Sequence, residues 1–382
     1  MGQPQKLIMF VAGEASGDSH GAHLISALRA LDPKINFTGL GGPQMQSAGL
    51  VLYEDLTKFA VVGFSEVLKH YSEFKRIFDQ FVTRVEQLKP DAVVLIDYPG
   101  FNLRLAKVLK EKGFKVIYYI SPQVWAWKEN RVKLIQKYVD KMLVLFPFEK
   151  KFYTKHGLDV ELVGHPLVDT VKATITKDDL LPSLGLDPNK LTIGLLPGSR
   201  EKEVEKLLPV MAETAKQLYK EYPNMQFLVM KAPTISFHFL KSHLEGTKEL
   251  PLRIVPDRAY DGINACDVCI VASGTATLET AILKKPMVVV YKTSLITYFL
   301  AKSFIKIPYI GLVNVVAGKK IVPECIQNEA TPENIAREIK NIFTDEVKIA
   351  DIKAELGKVK ESLGQPGASE RAARKILEII RD

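Results

Sequence analysis

LTIGLLPGSREKEVEKLLPVMAETAKQLYKEY, residues 191–222, passes from an apolar run through a Pro-Gly-Ser turn into a long stretch with helical spacing. A short strand, a glycine turn and a helix are half of a parallel crossover unit. The chain repeats that unit in both directions. Upstream, KLIMFVAG (6–13) breaks at Gly13 before the helical GDSHGAHLISALRAL (17–31). INFTGLGG (35–42), DAVVLIDYP (91–99), FKVIYYISP (114–122) and KMLVLFP (141–147) follow as short runs ending in Gly or Pro, with helical stretches between them. Downstream come MQFLVMKAP, LRIVPD, VCIVASG and PMVVVYK. The rhythm breaks near VGHPLVD (163–169) and the polar segment 171–190. The pattern predicts an α/β protein of two Rossmann-like domains, 1–168 and 169–350, with parallel sheets facing across a cleft. A helical, polar and basic segment, 351–382, is expected to cross back onto the first half.

At 382 residues, two domains are the natural expectation. Hydrophobic residues make up 47% and charged residues 25%, ordinary globular proportions. The net charge of +8 suits phosphate-bearing ligands, nucleic acid or an anionic bilayer. Aromatic residues are not interleaved with basic ones on any strand, which argues against nucleic acid. Cys266, Cys269 and Cys325 cannot build a disulfide framework and fit a reducing compartment. Cys269 lies in the apolar run VCIVAS, so the CxxC spacing reads as buried strand residues rather than a redox or metal site. Residues 295–316 are the most membrane-like, but Lys302, Lys306 and Pro308 interrupt them. The N-terminal apolar run meets Gly13 and acids, as a strand would and a signal peptide would not.

The turns carry the candidate chemistry. There is no GxxxxGK[ST], no HExxH and no DxD pair, and GLGG lacks the dinucleotide spacing. LLPGSR places Ser199 and Arg200 at a helix start, where amides and a guanidinium suit a pyrophosphate. ASGTATLE (272–279) is a second such turn, with Ser273, Gly274, Thr275 and Thr277 for phosphate and Glu279 for a ribose. N-capping and a solvated arginine explain the same residues without a ligand. GEASGDSHG (13–21) contains acids that repel a pyrophosphate. Its Glu14, Ser16 and His20 fit sugar hydroxyls, or a simple helix start. Asp97 in IDYPGFN ends an apolar run and is a candidate general base, or a turn cap. Arg200 is the candidate for stabilising a departing phosphate. The stretch 59–74 is apolar beyond the needs of one helix face through Val61, Val62, Phe64, Val67, Leu68 and Tyr71. It is either an exposed interaction patch or buried against the sheet. SPQVWAWKENRVKLIQKYVDK (121–141) holds both tryptophans and then a basic run.

GEASGD, IDYPGFN, SPQVWAW, VGHPLVD, LLPGSR, ASGTATLE and LVNVVAG…PECIQ together resemble, in order and spacing, the lipid-A-disaccharide synthase family. The resemblance covers nearly the whole chain. It implies a GT-B fold and an inverting transfer from UDP-2,3-diacylglucosamine to 2,3-diacylglucosamine 1-phosphate, releasing UDP, with no metal or organic cofactor. It implies Asp97 as the essential carboxylate, with Glu14 able to share base work, and Arg200 at the donor pyrophosphate. Ser273, Gly274, Thr275 and Glu279 fall in the UDP segment, and Glu14, Ser16 and His20 on the acceptor loop. Asn314 lies where the family reads Pro-Asn; here Val313 replaces that proline. Diacyl substrates imply work at the cytoplasmic face of the inner membrane, with 59–74 meeting acyl chains or lipid and the basic run near 128–141 meeting headgroups. A related GT-B enzyme, such as a UDP-N-acetylglucosamine transferase or 2-epimerase, and a non-catalytic nucleotide-sugar or phospholipid binder are the alternatives.

Overall fold

A computed structural model describes residues 5–60, 71–127, 131–293 and 308–381. The chain divides into two compact units, one of residues 1–166 with 363–382 and the other of residues 167–362.

The first unit holds seven strands: β1 (Leu7–Ala12), β2 (Asn36–Gly41), β3 (Val51–Asp55), β4 (Ala92–Ile96), β5 (Val116–Tyr119), β6 (Lys141–Val144) and β7 (Val160–Leu162). They lie in the order β3-β2-β1-β4-β5-β6-β7, all parallel. β4, AVVLI, is buried at every position. That is why it reads as a continuous apolar run rather than an alternating one, as expected where helices cover both faces of a sheet. Helix Ala15–Leu31 buries Leu24, Ile25 and Leu28 on one face.

The second unit holds β8 (Leu191–Leu196), β9 (Met225–Met230), β10 (Leu252–Val255), β11 (Val268–Ala272), β12 (Met287–Tyr291) and β13 (Glu324–Ile326), in the parallel order β10-β9-β8-β11-β12-β13. Helix Glu201–Glu221 buries Val204, Leu207, Leu208, Met211, Ala215 and Leu218, the spacing of a single apolar stripe. Cys269 is buried in β11, and Cys266 is buried at the end of helix Ala259–Ala265 rather than in a strand.

The sequence reading placed the returning segment at 351–382, whereas the return begins at Leu363. Helix Glu346–Ser362 stays with the second unit because Ile352, Leu356 and Val359 are buried there, beside helices Ala276–Ile282, Leu312–Ala317 and Pro332–Phe343. Helix Ala368–Ile379 packs on helix Ala15–Leu31 of the first unit. Arg371 fixes that return, donating from Nε to the Val163 carbonyl at 2.9 Å and from its other nitrogens to Gln365 and Pro366.

Each sheet has one place where the strand order reverses direction, between β1 and β4 and between β8 and β11. In open parallel sheets, ligands collect beyond the strand carboxyl ends at such points. GEASGD follows β1, IDYPGFN spans the end of β4, LLPGSR spans the end of β8, and ASGTATLE spans the end of β11.

Candidate functional site

In the first unit, Asp97 and Tyr98 both adopt left-handed backbone, with φ of 45° and 49°. Such conformations cost L-residues roughly 1–2 kcal/mol each, and observed strain of this kind clusters at working sites. Three groups hold the turn. Asn102, fully buried, donates from Nδ2 to the carbonyls of Ile96 and Asp97 at 3.1 and 2.8 Å. The Tyr118 hydroxyl donates to the Asp97 carbonyl, and the Asp97 amide donates to Tyr119 at 3.2 Å. The Asp97 side chain itself is half-buried.

The turn after β1 meets it. A Cβ at Gly13 would fall 2.3 Å from the Tyr98 ring, so only glycine lets that ring lie on the loop. Glu14 caps helix Ala15–Leu31 and is half-buried. Burial and then the Glu14 charge push the Tyr98 phenol up to about 12. Ser16 is exposed.

Asp18 is committed elsewhere. It is buried and accepts amide hydrogen bonds from Gly42, Gln44 and Met45 at 2.9, 3.0 and 2.9 Å. Asp18, one of the acids of this loop, thus anchors the loop to the β2 turn. The His20 ring meets the His165 ring edge-on at 6.0 Å, and its buried Nδ1 has no hydrogen-bond partner among the described residues. Burial, followed by the charge of His23, lowers His20 to about 4. Burial, followed by the charge of His20, lowers His165 to about 3. Both rings are therefore neutral at pH 7.

In the second unit, Ser199 and Arg200 are exposed at the start of helix Glu201–Glu221, where the Arg200 carbonyl accepts the Glu203 and Val204 amides at 2.9 and 3.0 Å. Arg200 lies 3.2 Å from Glu203 Oε1. On the neighbouring strand, the turn after β11 opens with the Ser273 amide donating to Val290 at 2.9 Å and its hydroxyl to Ile310 at 3.0 Å. Gly274 has φ of 152°, and a Cβ there would meet nothing within 4 Å among the described residues. Its backbone is open to close approach by a ligand, and the conformation is one that side chains rarely adopt. Thr275 is half-buried at the N-cap of helix Ala276–Ile282. Glu279 is half-buried and receives the Tyr260 hydroxyl at 3.3 Å. Burial raises both groups above their ordinary values; the Glu279 charge raises Tyr260 further, while the hydrogen bond from Tyr260 pulls Glu279 back down.

Two expected donor contacts are corrected. Thr277 is fully buried and spends its hydroxyl hydrogen on the Gly274 carbonyl at 2.8 Å. Asn314 is fully buried as well. It donates to Val322 and Glu324 at 2.9 and 2.8 Å and accepts from Ile321 and Val322 at 2.8 and 3.1 Å. Those four bonds use its side-chain capacity. Together with Glu324, which accepts the amides of Ile310 and Gly311, it shapes the backbone that Ser273 touches.

Val61, Val62, Phe64, Val67 and Leu68 lie outside the described residues, as does the side chain of Tyr71. Reading the sequence did not find Asn102, Tyr118 or Tyr260. Asn102 closes the IDYPGFN motif but reads as an ordinary helix residue, and Tyr118 and Tyr260 act on groups 21 and 19 positions away.

Residues 8–379 match the family model described as lipid-A-disaccharide synthetase. The chain is 45% identical over 373 residues to the lipid-A-disaccharide synthase of Geobacter sulfurreducens, covering 98% of this chain and 97% of the relative. It is 45% identical over 380 residues to that of Trichlorobacter lovleyi, covering 100% and 99%. Among solved structures, it resembles a UDP-GlcNAc 2-epimerase from Neisseria meningitidis bound to UDP-GlcNAc (TM-score 0.65, 14% identity, 97% and 99% covered). It also resembles Acinetobacter baumannii MurG (TM-score 0.58, 15% identity, 98% and 100% covered). These distant likenesses speak for the GT-B fold alone. Two parallel sheets with phosphate-suited and carboxylate-bearing turns at their switch points, matched end to end by these relatives, show that the chain belongs to the lipid-A-disaccharide synthase family of glycosyltransferases.

Proposed function

We propose that this enzyme transfers 2,3-diacylglucosamine from UDP-2,3-diacylglucosamine to 2,3-diacylglucosamine 1-phosphate, with inversion, to give a β-1,6-linked disaccharide 1-phosphate and UDP. The acceptor hydroxyl oxygen bonds to the donor anomeric carbon, and its proton passes to the Asp97 carboxylate. The bond from that carbon to the diphosphate breaks, and UDP leaves with the electron pair. Arg200 and the first-turn amides of helix Glu201–Glu221 meet the charge on the leaving group. Glu279, steadied by Tyr260, accepts the ribose hydroxyls, and Ser273, Gly274 and Thr275 offer backbone and hydroxyls to the phosphates. Glu14, Ser16 and His20 serve the acceptor, and no metal takes part.

The observation that carries this reading is the strained Asp97–Tyr98 turn, held by Asn102 and Tyr118. Lys89, Ile120, Asp257, Lys284 and Gln327 are left-handed too, so it is the carboxylate at the switch point, braced by two distant side chains, that singles this turn out. The test is incubation with both substrates, watched for UDP and disaccharide. Release of UDP without disaccharide, or epimerisation of UDP-N-acetylglucosamine with no acceptor present, would overturn the reading. Arg200→Ala should lower turnover and UDP affinity together by tenfold or more; unaltered UDP affinity would remove Arg200 from the diphosphate. Activity lost to EDTA and restored by a divalent ion would contradict the metal-free mechanism.

The substrates are lipids, and no helix among the described residues is long and apolar enough to cross a membrane. The lipid substrates of this family support work at the cytoplasmic face of the inner membrane, with the apolar stretch around Val62, Phe64 and Leu68 contacting lipid. The exposed Leu134, flanked by Lys133 and Lys137 on helix Val132–Tyr138, supports an anionic surface as partner. Serine at positions 62, 64 and 68 should weaken binding to anionic vesicles; unchanged binding and turnover would refute lipid contact there.

A further inference from the structure

The carboxyl edge of the first sheet carries a row of five rings. Trp125 stands edge-on to Phe148, with centroids 4.9 Å apart at 84°, and Phe148 stacks on Phe146 at 5.3 Å and 13°. Phe146 leans on His165 at 5.3 Å, and His165 meets His20. These residues follow β1, β5, β6 and β7, and in a parallel sheet all of those segments leave from the end where Asp97 lies. Phe146 and His165 are buried and form the base of the row; Trp125 and Phe148 are half-buried and keep exposed surface.

One end of the row is fixed by a costly group. The Glu149 carboxylate is only 2% exposed. It accepts the amides of Leu145 and Phe146, both at 3.1 Å, and the Trp125 Nε1 at 3.3 Å. Burial pushes this carboxyl up to about 7 against those three hydrogen bonds, and the nearby Asp97 charge adds to the rise. Capping a helix start needs only the two amides. The third bond sets the plane of the indole, which phenylalanine or leucine would fill without a buried acid.

We propose that Trp125 is the platform on which the acceptor's glucosamine ring lies, with Phe148, perpendicular to it, bounding one side and Glu149 acting as the positioning residue for the indole. The C–H face of a pyranose is apolar and flat, and a tryptophan face on the same sheet edge as a carboxylate base both binds it and limits its tilt. This rests on the acceptor binding at the first unit, as set out above.

The test separates an aromatic face from apolar bulk. W125F should keep the acceptor KM within about threefold of wild type, while W125L should raise it about tenfold or more with the donor KM unmoved. E149Q, which cannot accept all three hydrogen bonds at once, should raise the acceptor KM several-fold and leave the donor KM alone. Equal acceptor KM values in W125F and W125L, or a parallel rise in both substrates' KM, would overturn the platform. Failure of the wild-type enzyme to form disaccharide would instead end the functional reading itself. A second readout needs no turnover. In W127F, Trp125 is the one remaining indole, and 2,3-diacylglucosamine 1-phosphate in detergent should shift its emission while phosphatidic acid does not. No shift, or the same shift with both lipids, would refute a sugar platform.

Discussion

The turns after β4 and after β11 stand at equivalent places in their sheets but solve opposite problems. After β4, left-handed backbone is forced on Asp97 and Tyr98, and Asn102 and Tyr118 hold it. After β11, the unusual φ falls on Gly274, where no other described residue comes within 4 Å of a side chain's first carbon. The first turn must present a carboxylate and so accepts strain; the second must let a ligand reach the backbone and so removes the side chain. At this turn the strain falls on the residue whose carboxylate the proposed transfer needs.

Asp97→Asn breaks the comparison most sharply. It should lower turnover about a thousandfold or more, in line with the loss of a general base, with UDP affinity and thermal stability unchanged. Near-normal turnover would take the base role away from Asp97. Asp97→Gly sharpens the point about strain. It should be as inactive as Asp97→Asn yet unfold at no lower temperature, because glycine adopts φ of 45° freely. A marked drop in its melting temperature would show that the turn stores no strain.

The units also differ in acid. His20 and His165 of the first unit stay neutral down to about 4 and about 3, whereas both are near 6.5 when unfolded. The unfolded chain therefore takes up protons first as pH falls. The stability these rings contribute is whole above pH 6.5 and drains away as pH drops toward 4. At pH 5, the loss should be about 2 kcal/mol per ring. Hydrogen exchange at pH 5 should show the first unit opening ahead of the second, and replacing both histidines with glutamine should abolish the difference. Equal loss of protection in both units would contradict this.

How much of this was legible in the sequence depended on distance along the chain. The parallel strands announced themselves because their apolar runs are local, as in AVVLI and VCIVA, and the four switch-point turns follow directly on them. Thr277 and Asn314 looked like ligand groups because Thr277 is a polar residue beside a glycine turn and Asn314 matches a family motif. Thr277 instead turns its hydroxyl back on the Gly274 carbonyl, and Asn314 is taken up by Val322 and Glu324 of the next segment. Asn102 and Tyr118 were illegible for the converse reason: each looks like an ordinary helix or strand residue until the turn it holds is in place. The return of the chain at Leu363 was missed by about a dozen residues. Helix Glu346–Ser362 is polar enough to read as tail, although Ile352, Leu356 and Val359 are buried in the second unit.

Gly274→Ala tests the second turn. With φ of 152°, alanine strains the backbone by about 1–3 kcal/mol, and the shifted turn should bind UDP about tenfold more weakly. Calorimetry on the folded variant checks this. Unchanged UDP affinity alongside the expected loss of stability would mean that the backbone there is not approached by the diphosphate.

Tyr260→Phe carries the smallest expected effect and asks whether the donor turn relies on side chains as the acceptor turn does. The Tyr260 hydroxyl is the support that Glu279 receives from helix Ala259–Ala265, and at 3.3 Å it is a long, modest bond. Its loss should raise the donor KM about threefold, leave the acceptor KM alone, and move the Glu279 carboxyl higher, since the hydrogen bond lowers it against burial. The donor KM should then rise more steeply as pH falls than in the wild type, because a protonated Glu279 accepts ribose hydroxyls poorly. A donor KM that matches the wild type at every pH would show Glu279 to be held by its own burial, and would leave side-chain bracing of a turn as a property of the acceptor unit.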